Sequence, residues 1–167
     1  MPNGIFQTKI RFYHTATLIN SKLYILGGNS TSDDEVVGKD FFYLDFSVPF
    51  SNIQNLLWQD LSSVNTLPSH YGAASVNGGA NNNTLFLYGG YNFTAMEMVY
   101  TFNPQSNSCS IPKITGINNA RKRLLTGIID DSGKMYLWGG NDENNLVRND
   151  MLISKTYLPF RSKDQNT

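Results

Sequence analysis

The sequence predicts an all-β protein, because three stretches repeat one strand pattern and the composition favours strands. An apolar run followed by a Gly-Gly pair occurs at residues 22–28 (KLYILGG), 84–90 (TLFLYGG) and 134–140 (KMYLWGG). Each run is too short for a stable helix and is bounded by glycines, which indicates a strand buried on both faces. Aromatic residues make up 13% and charged residues 16% of the 167-residue chain, a balance typical of sheets.

The glycine pairs predict a sharp turn out of each strand. Two glycines permit positive φ angles and let another backbone approach closely. A phosphate-binding loop would instead need a glycine fingerprint that opens a helix, and residues 29–34 have the composition of a loop. We therefore assign a structural role to the six glycines, Gly27, Gly28, Gly89, Gly90, Gly139 and Gly140.

The first repeat, residues 11–67, reads as four strands. The first lies at 14–19, and a turn at Asn20 and Ser21 leads to the second at 22–26. A polar, acidic loop precedes the third strand at 41–46, and a Pro-containing connection precedes the fourth at 56–61.

Two further repeats follow the same order. In the second, residues 68–118, strands are expected at 72–76, 84–88, 96–102 and 108–111. In the third, residues 119–155, they are expected at 124–129, 134–138 and 150–154, and no fourth strand is evident. Residues 1–10 are a leading segment that could serve as a closing strand, and residues 156–167 form a polar tail that is expected to fray.

Four antiparallel strands that recur about every 40 to 50 residues are the signature of a β-propeller blade. First strands line the crowded axis of a propeller, and the first repeat places Thr15, Ala16 and Thr17 there. The second strands are bulky, as packing between blades requires. The prediction is an incomplete propeller of about three blades, numbered here in chain order.

The repeats resemble the kelch family, which has Gly-Gly after the second strand, an aromatic residue in the third and Trp in the fourth. Tyr43 and Tyr100 match the third-strand tyrosine, and Trp58 matches the tryptophan. Cys109 stands where the second repeat would have Trp, and Ile153 where the third would have Tyr. The resemblance covers residues 11–154 and looks closest to fungal kelch proteins labelled galactose-oxidase-like.

The resemblance implies an interaction module that displays loops on one propeller face to bind a protein or a glycan. The loops after the glycine pairs, residues 29–40, 91–95 and 141–149, would project to that face. Tyr91 and Phe93 are apolar enough to prefer a contact there. Relatives of this kind are often secreted or tethered to a membrane, whereas the sequence itself leaves the compartment undetermined.

The same resemblance raises an enzyme alternative, a remnant or fragment of a copper radical oxidase without its active site. That chemistry would need a Cys-Tyr crosslink, a second Tyr and two His. His14 and His70 lie near the starts of successive first strands but at different positions of the repeat, and Cys109 lies on an outer strand. We therefore predict no catalytic residue, no metal ligand and no cofactor.

Basic and aromatic residues near the starts of the first strands are the candidate binding residues. Arginine and tyrosine are common anchors at interfaces. One interpretation is that they ring the channel mouth and bind an acidic or polar ligand: Arg11, Tyr13, Tyr71, Arg121 and Arg123. The alternative is that they are strand-edge residues paired with loop carboxylates such as Asp33, Asp34 and Glu35.

The net charge and the shortness of the basic and apolar runs argue against nucleic acid and a membrane as partners. Thirteen basic and thirteen acidic residues cancel, and the basic cluster at 121–123 is shorter than a nucleic-acid patch, so nucleic acid is not expected. No apolar run approaches the ~18 residues of a membrane span, and the first residues lack a secretion signal. Cys109 is the only cysteine, which excludes an intrachain disulfide and a multi-cysteine zinc site.

Three N-glycosylation sequons begin at Asn29, Asn82 and Asn92. With 20 Asn and 27 Ser plus Thr in 167 residues, chance alone gives 20 × 27/167, or about three. The sequons therefore permit secretion without indicating it.

Propellers close with about 4 to 8 blades, and this sequence supplies between two and three. Three blades would leave two sheet faces exposed, which predicts association. Either the chain is a fragment of a longer product or copies assemble. We favour the fragment, because the sequence begins near a blade boundary and its last blade is short.

Overall fold

The computed structural model describes residues 8–31, 38–47, 49, 56–79, 82–92, 96–116 and 121–157, with Tyr157 described by its backbone alone. These residues form three four-stranded antiparallel sheets and one 3-10 turn at Ser62–Val64. The all-β prediction is therefore confirmed, and each sheet is one propeller blade.

Blades 1 and 2 follow chain order from the axis outwards. Blade 1 consists of β1 Thr15–Ile19, β2 Lys22–Leu26, β3 Phe41–Asp45 and β4 Trp58–Asp60. Blade 2 consists of β5 Ala74–Gly78, β6 Thr84–Tyr88, β7 Val99–Asn103 and β8 Ser108–Ser110. These strands lie within about three residues of the predicted bounds.

Blade 3 has a fourth strand that sequence reasoning missed. Its order is β10 Thr126–Ile129, β11 Lys134–Trp138, β12 Met151–Tyr157 and then β9 Lys113–Thr115. The outer strand precedes the blade in sequence and pairs with the end of β12, Thr115 opposite Lys155 and Lys113 opposite Tyr157. Residues 113–115, assigned by sequence to the second repeat, therefore belong to the third sheet.

In the described part of the chain the core consists of two layers, one between each pair of neighbouring blades. Tyr24, Leu26 and Phe41 of blade 1 pack on Leu85 and Phe102 of blade 2 in the first layer. The second layer has the buried residues Ala74, Phe86, Tyr88, Val99, Leu125, Met135 and Leu137. Each blade is therefore stabilised mainly by burying apolar side chains against its neighbour.

Burial of the second strands depends on the position of the blade. All five residues of β6 in the middle blade are buried, as predicted. In β11 of the last blade, Met135 and Leu137 are buried and Trp138 is exposed, so the prediction of burial on both faces is wrong there. The reason is that, among the described residues, no further blade packs on that face of blade 3.

The outer sheet faces of blades 1 and 3 differ in how far their apolar side chains are exposed. On the outer face of blade 1, Ile25, Phe42 and Leu44 are only 7%, 2% and 5% exposed, whereas Trp138 and Ile153 on blade 3 are 50% and 45% exposed. The expectation of two exposed faces therefore holds for blade 3 and not for blade 1.

The strand register places Tyr43 and Tyr100, which sequence assigned to the same family position, at different positions of the repeat. Tyr43 lies opposite Tyr24, whereas Tyr100 lies opposite Leu87, two residues before Gly89. Tyr43 and Tyr100 are thus one place apart in the repeat, and they enter the first core layer from opposite sides. Their proposed equivalence is wrong.

The outer strands agree with the predicted alignment. Trp58 pairs with Leu44 in blade 1, and Cys109 pairs with Phe102 at the corresponding place in blade 2. Residues 1–7 of the leading segment and 158–167 of the polar tail lie outside the described residues, whereas Thr156 and Tyr157, assigned by sequence to the tail, belong to β12. Within the described part, no helix is long and apolar enough to cross a membrane.

Candidate binding surface at the end of the blades

One end of the molecule is built from three equivalent backbone bridges, one per blade. Each joins the residue three places before the first strand to the residue after the glycine pair: Phe12 with Asn29, Tyr71 with Tyr91, and Arg123 with Asn141. Each bridge has two hydrogen bonds, such as Tyr91 N to Tyr71 O at 2.8 Å and Tyr71 N to Tyr91 O at 3.2 Å. We call the surface that carries these bridges the end surface.

A second set of hydrogen bonds links the bridges across the blades. Gly72 N donates to Tyr13 O at 2.7 Å, and Leu124 N donates to Gly72 O at 2.7 Å. All three residues have positive φ, 55° at Tyr13, 68° at Gly72 and 57° at Leu124. Left-handed backbone is unusual for Tyr and Leu, and here it leaves their side chains 50% and 41% exposed.

Aromatic rings form a continuous row across the end surface. Phe12 and Tyr13 lie 4.8 Å apart, Tyr13 stacks on Tyr71 at 6.3 Å, and Tyr71 lies 5.3 Å from Tyr91, all between ring centroids. The guanidinium of Arg123 lies 5.1 Å from the centroid of the Tyr91 ring. We call these four rings the aromatic row, and Arg123 lies at its blade 3 end.

Several sequence-predicted residues are therefore brought together. Tyr13, Tyr71, Tyr91 and Arg123 all lie in or beside the row. Arg121 is close by, but it donates a hydrogen bond to the carbonyl oxygen of Met96 and so links blade 3 to blade 2. Phe93 lies outside the described residues.

Arg11 is not presented at the end surface. Its guanidinium forms an ion pair with Asp40 at 2.8 Å, donates to Gly27 O at 3.2 Å and lies 4.7 Å from the centre of the Phe42 ring. Its side chain is only 6% exposed. Arg11 therefore pairs with a carboxylate, as the alternative interpretation expected, although with Asp40; Asp33, Asp34 and Glu35 lie outside the described residues.

Lys122 has the same role in blade 3. Its amino group lies 2.5 Å from Asp150, and its side chain is 3% exposed. The hydrogen bond from Lys122 holds the pKa of Asp150 below its usual range. The middle residue of the basic cluster is thus a buried structural cation.

The loop after the third glycine pair adds apolar residues that sequence reasoning missed. Leu146 and Val147 are 54% and 82% exposed. The carboxylate of Asp142 holds the loop by accepting hydrogen bonds from Asn144 N at 2.9 Å, Leu146 N at 3.0 Å and Arg148 Nε at 2.7 Å. The Arg148 contact, followed by the backbone donors, lowers the pKa of Asp142.

A small cavity of about 130 Å³ lies between blades 2 and 3 beside the row. Tyr91, Arg121, Arg123, Glu143 and Asn145 are among the residues that line it. Arg123 also donates a hydrogen bond to Asn145, while its Nε atom is buried without a hydrogen-bond partner. The volume suits one side chain of a partner and is below the size of a drug-like ligand site.

The two histidines occupy different positions of the repeat, as the sequence predicted. His70 occupies the repeat position of Arg11 and Lys122, and its Nδ1 lies 2.8 Å from Pro68 O. Burial lowers the pKa of His70, and burial together with Arg11 lowers the pKa of His14. Among the residues described, no cluster of three or more His, Cys, Asp or Glu is arranged to hold a metal ion.

The three sequon asparagines differ in exposure. Asn29 on the end surface and Asn82 in the β5–β6 connection are exposed. The side-chain nitrogen of Asn92 is buried, so this atom is not accessible for glycosylation in the folded chain.

Comparison with known proteins identifies a family and structures of similar fold. The family model described as the KLHDC2/KLHL20/DRC7 Kelch-repeats domain matches residues 13–158. A solved structure titled "Structure of YjhT" is similar with a TM-score of 0.63 at 12% identity, covering 89% of this chain and 46% of the other. The chain thus spans about half of that kelch propeller. No curated protein matches the chain.

Proposed function

Because the chain belongs to the kelch-repeat family, we propose that it is a protein-interaction module whose contact surface is the end surface of its blades. Kelch repeats are protein-interaction modules at the general level. The observation that carries the finer proposal is the aromatic row, which ends in Arg123 stacked on Tyr91.

The composition of the end surface supports this proposal. Tyr and Arg are enriched at interfaces and supply much of the binding energy there. Tyr13 in the row is 50% exposed, and Leu124 and Leu146 add exposed apolar side chains at 41% and 54%. Exposed apolar residues grouped with an arginine favour a protein partner.

The backbone hydrogen bonds of the end surface also support the proposal. The bridges and the Gly72 and Leu124 hydrogen bonds fix the row before any partner binds. A preorganised surface loses little conformational entropy on binding, which raises affinity. The partner would place apolar side chains on the row and an acidic or polar group near Arg123.

Selection from a random peptide library tests the proposal. Peptides selected on the wild-type chain should bind Y91A and R123A about tenfold more weakly or worse, as expected for loss of an anchor worth about 1.4 kcal/mol. The matched control is I111A, because Ile111 is 61% exposed outside the end surface and should not affect binding.

Three outcomes would contradict the proposal. The first is that selected peptides bind both end-surface variants as tightly as the wild type. The second is that a glycan array yields ligands while the library yields no peptide, which would favour the glycan alternative. The third is stoichiometric copper with a tyrosine radical in the purified protein, which would favour the oxidase alternative.

A further inference from the structure

The cavity of about 130 Å³ between blades 2 and 3 is lined by two arginines that retain hydrogen-bond donors. A guanidinium carries five N–H donors. Among the described residues, Arg121 uses one of them on the carbonyl oxygen of Met96, and Arg123 uses one on the side chain of Asn145. Each guanidinium therefore keeps N–H groups for an acceptor that a partner places in the cavity.

Two other charged residues that line the cavity are paired within the chain. The amino group of Lys122 lies 2.5 Å from the carboxylate of Asp150. The carboxylate of Asp142 forms an ion pair with Arg148 and also accepts hydrogen bonds from the backbone of its own loop. These two pairs therefore add no net charge to the cavity.

The charges that remain around the cavity leave one positive charge in excess. Arg121 and Arg123 supply two guanidinium charges, and Glu143 supplies one carboxylate charge. Glu143 is exposed and, among the described residues, forms no ion pair. A singly charged anion would therefore bring the cavity to neutrality, whereas a doubly charged anion would leave excess negative charge beside Glu143.

Contact surfaces flank the cavity on both blades. Tyr91, at the end of the aromatic row, lines it from blade 2, and the loop that contains Asn145 lines it from blade 3. Next to Asn145 in that loop, Leu146 and Val147 are 54% and 82% exposed. A partner chain that contacts both surfaces passes over the cavity, so the group that enters it is a side chain within the partner and not a chain terminus.

We propose that the cavity binds the carboxylate of an aspartate or glutamate within the partner chain, and that Glu143 makes the cavity reject a phosphorylated residue. This assignment rests on the proposed function of the end surface and names the side chain that the partner presents. A carboxylate carries one charge and can accept two parallel N–H bonds from a guanidinium. A phosphoryl group carries about −1.5 to −2 charges at pH 7, so Glu143 repels it more strongly.

A double-mutant cycle tests the contact between the carboxylate and Arg123. The probe is the tightest peptide selected on the wild-type chain, acetylated and amidated at its ends so that its only carboxylates are side chains. Changing its Asp to Asn, or its Glu to Gln, should weaken binding to the wild type about tenfold. On R123Q the same change should weaken binding about twofold or less, because the guanidinium that holds the carboxylate is missing. Circular dichroism of R123Q verifies that the variant is folded.

Three outcomes would overturn the carboxylate assignment while the proposed function stands. The first is that the selected peptides need Tyr91 but contain no Asp or Glu. The second is that they bind only with a free C-terminal carboxylate. The third is that the change in the peptide weakens binding equally on the wild type and on R123Q. Peptides that bind Y91A and R123A as tightly as the wild type would instead contradict the proposed function itself.

Replacing the acidic residue of the probe by phosphoserine tests the role of Glu143. The wild type should bind the phosphoserine peptide more weakly than the acidic one, and E143Q should bind it about fivefold more tightly than the wild type does. D131N is the matched control, since Asp131 is an exposed carboxylate in the β10–β11 turn, at the opposite end of blade 3. A wild type that binds both peptides equally, or an E143Q variant that binds phosphoserine no better than D131N does, would overturn this role.

Discussion

The amide nitrogen of Gly90 donates a hydrogen bond to the carbonyl oxygen of Lys122 at 2.9 Å. Gly28 does the same to His70 at 3.0 Å one blade earlier. The glycine pair thus turns the chain after the second strand and also joins its blade to the next one. Since Lys122 directly precedes Arg123, this contact sets the position of Arg123 relative to Tyr91.

Substituting the first glycine of a pair should cost more where a neighbouring blade is present. Gly27 and Gly139 have similar φ angles, 61° and 70°, so alanine is strained by about 1 to 2 kcal/mol at either position. G27A additionally places Cβ against the His70 carbonyl and should lose about 2 kcal/mol more. Urea unfolding of G27A and G139A measures the difference.

G139A is the internal control for strain, because its nearest contact lies at 3.5 Å. Equal losses of unfolding free energy in the two variants would show that the positive φ angle alone explains the need for glycine. The contact between blades would then make no contribution.

The ion pair between Arg11 and Asp40 should stabilise blade 1. D40A leaves the guanidinium of Arg11, 6% exposed, without its carboxylate, and we expect a loss of about 3 kcal/mol. R11M keeps much of the packing on Phe42 and removes the buried charge, so R11M/D40A should be more stable than D40A. A double-mutant cycle from urea unfolding measures the coupling. Additive losses would contradict a direct pairing.

The fold was predictable where a pattern repeats over a short range. The glycine pairs and apolar second strands recur in all three blades, and the structure confirms a strand at each. The fourth strand of blade 3 escaped prediction because β9 has only three residues and its partner, Thr156, lies 42 positions after Ile114. A short strand paired at that distance leaves no local periodicity.

The binding surface was predictable only in part. Tyr71 and Tyr91 could be singled out by residue type, and the structure places them opposite each other in a bridge. Arg11 resembled a rim residue, because sequence alone does not show that Asp40 lies within reach. Leu146 and Val147 belong to the loop expected at residues 141–149, where no sequence pattern singles them out. The hydrogen bonds to Asp142 hold this loop in place.

Acidification should destabilise the fold through its histidines. Burial lowers the pKa of His70 below the unfolded value of 6.5, so below that pH the unfolded chain binds more protons than the folded chain. The stability contributed by neutral His70 is therefore fully present above about pH 6.5 and is lost as the pH falls towards the folded pKa. H70Q should reduce the loss in thermal midpoint between about pH 7.5 and 5.5.

His14 has a lowered pKa too, so H70Q should leave part of the pH dependence, and H14N should remove a different part. The aspartates with lowered pKa values titrate below this window, Asp130 at about 2. A wild-type midpoint that is unchanged across the window would contradict the burial of a neutral His70.

Arginine at position 123 should be required for its shape as well as its charge. The planar guanidinium stacks on Tyr91 and donates to Asn145, whereas a lysine ammonium is a compact charge that does not reproduce both contacts. R123K should therefore weaken a peptide selected on the wild type several-fold while keeping the salt dependence of binding. R123Q should weaken it further and also reduce the salt dependence, because the charge is lost. Titration calorimetry at low and high salt measures both effects. If R123K binds like the wild type, the charge alone acts and the stacked arrangement with Tyr91 does not contribute to recognition.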